Sequence, residues 1–329
     1  MRIPNIYITD NLDNLEVRVI GYKSLGESII INIGKSFVMV IDSYKCYGKF
    51  LTKDILEQIG VSKLTMLCWT HPDADHTVGM GELFNYVGEN TYVIVPDGIS
   101  MREIEISLLS DIGDEKNNIN EYKDIYTKIN EVRELNLIVC NQSTSIEFNI
   151  IQGKKTYPCK IEFFAPIGSI IRNQQINNYK TIIDNKDKSE YLNLYSIAMK
   201  FYIGDIKLCF TGDLDNKIID CFSQNNEYYR DILIGYNDIF KIPHHGSCNA
   251  SSILEYIKGF KYGIVTSYRK GTVLPNEDML REYSKFGDVY ATRKETPADD
   301  YGIVHVKIPL VSSEKDTYEC LYDAYKWNE

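Results

Sequence analysis

The sequence predicts a layered α/β protein in which two β-sheets pack face to face between outer helices. Short apolar strand segments alternate with helical segments along most of the 329 residues, as in layered α/β folds. The strand segments form two groups, residues 15–95 and 137–308, and a polar stretch separates them. A hydrophobic fraction of 44% is ordinary for a globular protein with a full core. We therefore expect one sheet from each group, within a single domain over residues 1–329.

The first group begins with strand patterns at residues 15–20 and 28–33, followed by a Gly34–Lys35 turn. Residues 37–41 are continuously apolar, which is typical of a buried strand, and this strand ends at Asp42. We expect Asp42 at a sheet edge. The other elements expected in this group are helices at 51–60 and 78–87 and strands at 64–69 and 92–95.

The polar stretch covers residues 97 to about 135, and its charged and Asn-rich composition contrasts with the flanking strands. Helical patterns such as 121–132 predict a helical insertion that flanks the site described below. A substrate lid and a solvated excursion without function are equal alternatives for it. A second Asn/Lys/Asp-rich stretch, 173–190, is expected to be a mobile loop. The second strand group is expected to contain strands at 137–139, 145–151, 160–164, 197–203, 206–210, 262–267, 289–292 and 302–308, and helices at 216–223, 251–257 and 276–285.

The net charge of −10 argues against a generally basic surface for nucleic acid. It does not exclude a nuclease, because bound divalent cations can supply positive charge at a carboxylate-rich site. The eight cysteines contain no C-x-x-C pair, which indicates reduced, structural residues and a cytoplasmic location. The N-terminus lacks the apolar region of a signal peptide, and no apolar run reaches the length of a membrane span.

Residues 70–76 read Thr-His-Pro-Asp-Ala-Asp-His and follow the strand expected at 64–69. Four potential metal ligands, His71, Asp73, Asp75 and His76, fall within six residues. A loop leaving a strand end can bring this spacing together, whereas a helix would spread it around its circumference. A polar surface turn is the alternative for such a motif taken alone.

Two further motifs place ligand-type side chains after apolar strands. Phe210-Thr-Gly-Asp213 ends in a carboxylate, and Lys241-Ile-Pro-His244-His245-Gly-Ser247 contains two adjacent histidines. A rigid sheet can hold metal ligands in place through such strand ends. Each of these two motifs is weak evidence alone. The three motifs together, in this order, predict a metal site.

With these motifs the chain resembles the metallo-β-lactamase superfamily over roughly residues 15 to 308, apart from the insertion. It looks most similar to the soluble domain of ComEC-type DNA-uptake proteins and their free-standing relatives, which share the H-P-D-A-D-H form. Supporting matches are Gly26-Glu-Ser and Asn193-x-x-Ser196. Leu274-Pro275 stands where that family often has His-Pro, and no histidine lies between His76 and His244. The resemblance implies a four-layer αββα sandwich with a two-metal site at one edge.

The resemblance also implies ligand sets for the two metals. His71, Asp73 and a bridging Asp213 would hold one metal. Asp75, His76, Asp213 and one histidine of the 244/245 pair would hold the other. His245 is favoured as that ligand, with His244 as proton donor or substrate contact, although the opposite assignment stays open. Asp42 is expected to orient a ligand rather than to bind metal. Since the first set is rich in oxygen, Mn²⁺ is at least as well suited as Zn²⁺.

The expected activity is metal-dependent hydrolysis by a hydroxide held between two metals. Asp75 would orient this hydroxide and His244 would protonate the leaving group. A phosphodiester is the preferred substrate, either nucleic acid or nucleotide, because carboxylate-bound metals can clamp phosphate oxygens. Two alternatives are a hydrolase of carbonyl substrates (lactone, thioester or β-lactam) and a non-enzymatic metal-binding scaffold. Asp73 counts against the first of these, and the complete ligand motifs count against the second.

Overall fold

In the computed structural model, two β-sheets pack against each other and helices cover their outer faces. The structure describes residues 1–9, 14–46, 48–99, 119–175, 189–225, 229, 233, 235–294, 299–310 and 315–327. These layers form a four-layer αββα sandwich and confirm the expected fold class. Most of the stretch 173–190, which we expected to be a mobile loop, lies outside the described residues.

The strands in chain order are β1 (Ile6–Ile8), β2 (Asn14–Tyr22), β3 (Glu27–Ile33), β4 (Phe37–Ile41), β5 (Met66–Cys68), β6 (Tyr92–Pro96), β7 (Leu137–Cys140), β8 (Ser145–Gln152), β9 (Lys155–Ala165), β10 (Ala198–Ile203), β11 (Ile206–Phe210), β12 (Tyr236–Lys241), β13 (Gly259–Val265), β14 (Asp288–Ala291), β15 (Tyr301–Pro309), β16 (Thr317–Tyr322) and β17 (Tyr325–Lys326). The α-helices are α1 (Leu51–Gln58), α2 (Ala74–Thr77), α3 (Met80–Leu83), α4 (Ile119–Glu131), α5 (Asn216–Ile219) and α6 (Glu277–Ser284). Short 3₁₀ helices include Ser189–Tyr195, Asp220–Asn225, His244–Gly246 and Cys248–Glu255.

Sheet I has the strand order β16-β15-β2-β3-β4-β5-β6-β7, and sheet II has the order β1-β8-β9-β10-β11-β12-β13-β14-β17. The expectation of one sheet from each strand group is therefore wrong. Strand β15 returns to sheet I, where all nine of its residues pair antiparallel with β2, and β7 extends the other edge beside β6. Sequence alternation identifies a strand but carries no information about its partner, so the grouping by position failed.

The main core lies between the two sheets and follows the two-residue period of the strands. In β3, Ile29, Ile31 and Ile33 face this inter-sheet core, whereas Ile30 faces the helical layer over sheet I. Sheet II contributes Phe148, Phe201 and other buried side chains to the same core. Both faces of β3 and β4 are covered and every residue of the two strands is buried; β4 is apolar throughout, as expected for a buried strand, whereas β3 also carries polar residues.

Helix α4 covers part of the outer face of sheet I with Tyr122, Ile125 and Ile129. The helical pattern predicted at 121–132 is thus confirmed, and this part of the polar stretch is packed rather than a solvated excursion. The hydroxyl of Tyr122 donates a hydrogen bond to the carbonyl of Pro72 at 2.8 Å, which brings α4 against the 70–76 loop. Residues 100–118 of the stretch lie outside the described residues.

The helix expected at 78–87 is found over residues 80–86, where α3 is followed directly by a 3₁₀ helix at Phe84–Tyr86. It begins two residues later than expected because Gly79, which separates it from α2, has a φ of 99°. This left-handed conformation interrupts a right-handed helix and suits glycine. The backbone N–H of Gly79 donates to the carboxylate of Glu121 on α4, which holds the break in place.

The parallel strands determine where the site lies. Strands β4, β5 and β6 run parallel in sheet I, and β11, β12, β13 and β14 run parallel in sheet II. Carboxyl ends of parallel strands share one sheet edge, where open α/β sheets bind their ligands. No helix within the described residues is both long and apolar enough to cross a membrane.

Candidate metal centre

The 70–76 motif leaves the carboxyl end of β5 and then makes one helical turn. His76 N–H donates to the carbonyl of Asp73 at 3.1 Å, and Val78 N–H donates to that of Ala74 at 3.1 Å. We expected a loop over the whole motif, and this is correct only up to Asp73. The turn α2 carries Asp75 and His76, both of which are buried. Ligands on a helical turn can still meet here, because sheet II supplies the other side of the site.

Four side chains converge at the junction of the two sheets: Asp75, His76, Asp213 and His245. One potential ligand atom from each lies within 4.8 Å of the others, and all four residues are buried. The Nε2 atom of His245 is 3.1 Å from Oδ2 of Asp75 and 3.4 Å from Oδ2 of Asp213. The Nε2 atom of His76 is 3.4 Å from Oδ1 of Asp213. This cluster of imidazole nitrogens and carboxylate oxygens could hold a metal ion.

His71 and Asp73 lie beside the four-residue cluster. The His71 ring centroid is 4.3 Å from that of His76. Its Nε2 atom is 3.8 Å from Oδ2 of Asp73, whose side chain is 34% exposed. The structure thus places all six predicted ligands at one edge, four of them in a tight group and two adjacent to it.

Several buried atoms of this group have no hydrogen-bond partner within the described residues: His71 Nε2, Asp75 Oδ2, His76 Nε2, Asp213 Oδ1 and His245 Nε2. Buried polar atoms almost always have a partner, so a concentration of unpartnered atoms requires an explanation. A bound divalent cation would give each of them one. The donor set therefore fits a metal, and the fit rests on atoms from both sheets.

Asp42 orients two of the histidines from the end of β4. Its Oδ2 atom is 2.7 Å from Nδ1 of His76 and accepts a hydrogen bond from the Thr70 hydroxyl at 2.6 Å. The Thr70 oxygen in turn lies 3.0 Å from Nδ1 of His71. Since the single hydroxyl hydrogen goes to Asp42, His71 must donate from Nδ1. Both rings then direct the lone pair of Nε2 towards the cluster.

Asp213 is positioned by the Thr-Gly-Asp turn after β11. Gly212 has a φ of 50°, and an added Cβ there would lie 2.4 Å from Oγ of Ser196 and 2.8 Å from the Ile197 carbonyl oxygen. Only glycine adopts this positive φ without strain and also avoids these close contacts. The next backbone N–H, that of Asp213, donates to Oγ of Ser196 at 2.9 Å. The glycine thus lets Ser196 hold the backbone of a cluster carboxylate.

His244 and His245 have left-handed backbone conformations, with φ values of 46° and 52°. Such values are uncommon for residues other than glycine and cluster at functional sites. His245 is buried within the cluster, and its Nδ1 atom lies 2.9 Å from Oγ1 of Thr266. His244 is half-buried and outside the cluster, and its Nδ1 atom has no hydrogen-bond partner among the described residues.

The metal-free cluster contains opposite charges in close contact. Burial alone would lower the pKa of His245, but the carboxylates of Asp213 and Asp75 raise it to about 9. The same carboxylates, with Asp42, raise the pKa of His76 against the effect of burial. Burial and the nearby His76 lower the pKa of His71 to about 3, so this imidazole is neutral at neutral pH. The raised pKa values favour protonated imidazoles at His76 and His245, and their positive charges balance the surrounding carboxylates.

Sequence reasoning missed the side chains that hold the ligands from behind. Thr70 and Thr266 have no ligand-type chemistry, and a threonine at a strand end is common. Ser196 and the Gly26-Glu-Ser segment entered only as parts of a family resemblance. The one signal available was position, since each follows or begins a strand at the same sheet edge.

No known family model matches the chain, and no curated protein matches it. Among solved structures it is similar to a protein from Parabacteroides distasonis provisionally named a metal-dependent hydrolase, with a TM-score of 0.41, 12% identity, and coverage of 83% of this chain and 91% of that one. It is also similar to CmlA, a diiron β-hydroxylase from Streptomyces venezuelae, with a TM-score of 0.43, 14% identity, and coverage of 85% and 53%. A long form RNase Z from yeast is similar with a TM-score of 0.38 and 10% identity, over 96% of this chain and 49% of that one. The chain thus spans about half the length of CmlA and of RNase Z, and likenesses this low establish neither family nor activity.

Proposed function

We propose that this protein is a metal-dependent hydrolase of the metallo-β-lactamase superfamily that cleaves phosphodiesters. The observation that carries the proposal is the convergence of Asp75, His76, Asp213 and His245, with ligand atoms within 4.8 Å of one another. Among the described residues, buried ligand atoms of this group make no hydrogen bond although they lie within ion-pair distance of one another, and a divalent cation would satisfy them. Similarity of the His71–His76 segment to ComEC-type domains supports the same assignment.

The proposed centre holds two divalent ions. Asp75, His76, Asp213 and His245 would bind one, and the neighbouring His71 and Asp73 would bind the other with Asp213 as the bridge. The 3.8 Å separation of His71 Nε2 from Asp73 Oδ2 supports the second position, because a cation between these atoms would contact both. The set of His71, Asp73 and Asp213 is richer in oxygen than the four-residue cluster, and this favours Mn²⁺ beside His71. The two imidazoles of the four-residue cluster suit Zn²⁺.

When bound, the two ions would supply an activated water molecule and stabilise negative charge on the substrate. The chain's own residues would supply orientation and protons. Asp75, buried beside His76 and His245, would orient the attacking water. His244 would donate a proton to the leaving group, since it is half-buried at the rim and its backbone N–H is held by the Gly212 carbonyl at 3.2 Å.

A phosphodiester substrate is favoured by the excess of carboxylates in the ligand set. Carboxylate oxygens coordinate hard divalent cations, and these cations can in turn coordinate the phosphate oxygens of a substrate. The chain carries a net charge of −10, so short single strands and nucleotides are as suitable as long DNA. Carbonyl hydrolysis remains the second candidate, and a metal-binding scaffold without activity is the third.

The first experiment is product release from single-stranded DNA in Mn²⁺ by the wild type and by Asp75→Ala, purified identically. Asp205→Ala is the matched control, because Asp205 is an exposed acid in the β10–β11 turn, at the opposite end of β11 from Asp213. We expect cleavage by wild type and control only. Bis(p-nitrophenyl) phosphate and p-nitrophenyl acetate are tested in parallel. Cleavage of the acetate alone would support the carbonyl alternative, and metal binding without any cleavage would support the scaffold.

A further inference from the structure

A chain of buried polar contacts reaches His245 from behind the cluster. The ammonium of Lys241 lies 2.7 Å from Oε2 of Glu27, and the Thr266 hydroxyl donates to the same oxygen at 2.5 Å. The Thr266 oxygen lies 2.9 Å from Nδ1 of His245. All four residues are at most 1% exposed. Three of them, Lys241, Glu27 and Thr266, are not members of the metal-binding cluster.

The direction of these hydrogen bonds follows from counting hydrogens. A threonine hydroxyl has one hydrogen, and an ionised glutamate can only accept. The Thr266 hydrogen therefore goes to Glu27, and the Thr266 oxygen must accept from Nδ1–H of His245. In the neutral imidazole, the form that binds a metal, this leaves the lone pair of His245 on Nε2, the atom that faces Asp75 and Asp213 at 3.1 and 3.4 Å. The chain thus selects the ligand-ready tautomer of His245.

Lys241 supplies the charge that a buried carboxylate requires. An isolated carboxylate in the interior is costly, whereas a close ammonium and further hydrogen bonds offset much of that cost. The Lys241 ammonium also donates to the Ile242 carbonyl at 3.0 Å, so its position is determined by the backbone beside it. Glu27 begins β3 of sheet I, whereas Lys241 ends β12 and Thr266 follows β13 of sheet II. The contacts therefore join the two sheets at the site.

The same carboxylate–hydroxyl–imidazole order occurs at Asp42, Thr70 and His71. There, however, Asp42 also contacts His76 directly, so changes at Asp42 affect two histidines. Glu27 is connected to the cluster differently. Among the described residues, the hydrogen bonds that link it to the cluster run through the Thr266 hydroxyl to His245. Changes at Glu27 or Thr266 can consequently be interpreted through one histidine.

We infer that Lys241, Glu27 and Thr266 are positioning residues that set the ring orientation and tautomer of His245 for a divalent metal. This inference rests on the proposed metal-dependent function. It adds a specific structural role for a buried ion pair that touches neither metal nor substrate. Its consequence is that affinity for the metal bound by His245 depends on a hydroxyl group one contact away.

The test compares Thr266→Val with Thr266→Ser. Valine retains the size of threonine but removes the acceptor for His245 Nδ1–H, whereas serine keeps it. Zn²⁺ affinity of the full-length chain is measured by competition with a chromophoric chelator. We expect Thr266→Val to weaken the His245 site about 10–100-fold and Thr266→Ser to restore most of this loss, as is usual for partners of metal-binding histidines.

A spectroscopic measurement separates positioning from general destabilisation. With ¹⁵N-labelled histidine, the Zn²⁺-loaded wild type is expected to show a slowly exchanging Nδ1–H signal from His245. The chain has only five histidines, and His245→Gln identifies the signal. The signal should disappear in Thr266→Val and remain in Thr266→Ser.

The double variant Glu27→Leu/Lys241→Met provides a second route if Thr266→Val does not fold. It replaces both buried charges with apolar side chains and leaves no unpaired charge behind. Its Thr266 hydroxyl loses its acceptor and can donate to His245 instead, so Zn²⁺ binding should again weaken. Unchanged Zn²⁺ affinity and an unchanged Nδ1–H signal in folded variants would overturn the inference alone. A wild type that binds neither Zn²⁺ nor Mn²⁺ would overturn the proposed function and the inference with it.

Discussion

The Nδ1 atom of His76, on helix α2, lies 2.7 Å from Oδ2 of Asp42, which directly follows strand β4 of sheet I. The carboxylate thus fixes the ring of a cluster histidine 34 residues further along the chain. It also accepts from the backbone N–H and the hydroxyl of Thr70, so Asp42 ties the whole 70–76 segment to β4. Asp42 itself adopts a φ of 57°, a conformation that such a set of contacts can hold.

Replacement of Asp42 by asparagine tests this relationship. Asparagine keeps the size but loses the charge, and one of its two polar atoms becomes a donor facing another donor. We expect Asp42→Asn to weaken divalent-metal affinity about 10–100-fold, a magnitude typical of groups that orient histidine ligands. Chelator competition measures the loss. Asp54→Asn, at an exposed position on α1, is the control. Equal metal affinity in Asp42→Asn and wild type would show that Asp42 does not orient the metal ligands.

Metal binding should release protons. The carboxylates of Asp213 and Asp75 outweigh burial and hold the pKa of His245 at about 9 in the metal-free protein, and they raise that of His76. At pH 7 both imidazoles are protonated, and a metal must displace these protons. Since lower pH favours the protonated form, affinity should fall about tenfold for each unit of decrease in pH below about 9 because of the proton displaced from His245. The proton displaced from His76, whose pKa is also raised, should steepen this decrease.

Isothermal titration calorimetry at pH 6.5, 7.5 and 8.5, in buffers of different ionisation enthalpy, measures the number of protons released. At pH 7.5 we expect about two protons to be released by the metal that His76 and His245 bind, whereas His71, with a pKa of about 3, contributes none. An affinity that does not change with pH would contradict the charge arrangement described above.

The adjacent histidines 244 and 245 should have separable effects. His245→Gln removes a nitrogen from the four-residue cluster and should lower both metal content and activity. His244→Gln removes the proposed proton donor and should leave metal content unchanged while kcat for phosphodiester cleavage falls about 10²–10⁴-fold. Metal analysis by mass spectrometry together with steady-state kinetics tests the pair. Loss of metal from His244→Gln would reverse the assignment of ligand and donor.

Gly212→Ala should be destabilising. The added Cβ would meet Ser196 Oγ at 2.4 Å and the Ile197 carbonyl oxygen at 2.8 Å, in a backbone conformation with a φ of 50°. We expect a loss of about 2–4 kcal/mol in the free energy of unfolding, from backbone strain and overpacking combined. Chemical denaturation in EDTA measures this loss without a contribution from metal. Gly153→Ala is a matched control with a φ of 59° and no atom within 4 Å of the new Cβ. Equal losses in the two variants would mean that the contact with Ser196 and Ile197 contributes nothing.

Much of the site could be predicted from local sequence, because His71, Asp73, Asp75 and His76 lie within six residues and Asp213 and His245 each belong to a short motif after a strand. Periodicity also identified the buried strands β3 and β4 and the amphipathic helix α4. These features depend on residues close together in the chain.

Features that depend on distant pairing could not be predicted in the same way. The return of β15 to β2 joins residues almost 300 positions apart, and strand alternation does not encode such a partner. The hydrogen bond between Thr266 and Glu27 spans 239 residues. Even within the motif, the helical turn at Asp75 and His76 arises from backbone hydrogen bonds to Asp73 and Ala74 rather than from ligand spacing.

Anomalous X-ray scattering from crystals grown with Mn²⁺ tests the metal centre most directly. A peak is expected among Nε2 of His76, Nε2 of His245 and the carboxylates of Asp75 and Asp213, with ligand distances of about 2.0–2.3 Å. A second peak about 3.5–4 Å away, beside His71 and Asp73, would match the proposed two-metal arrangement. Crystals of the folded chain in millimolar Mn²⁺, and others in millimolar Zn²⁺, that both show no peak among these four residues would contradict the assignment of this cluster as a metal site.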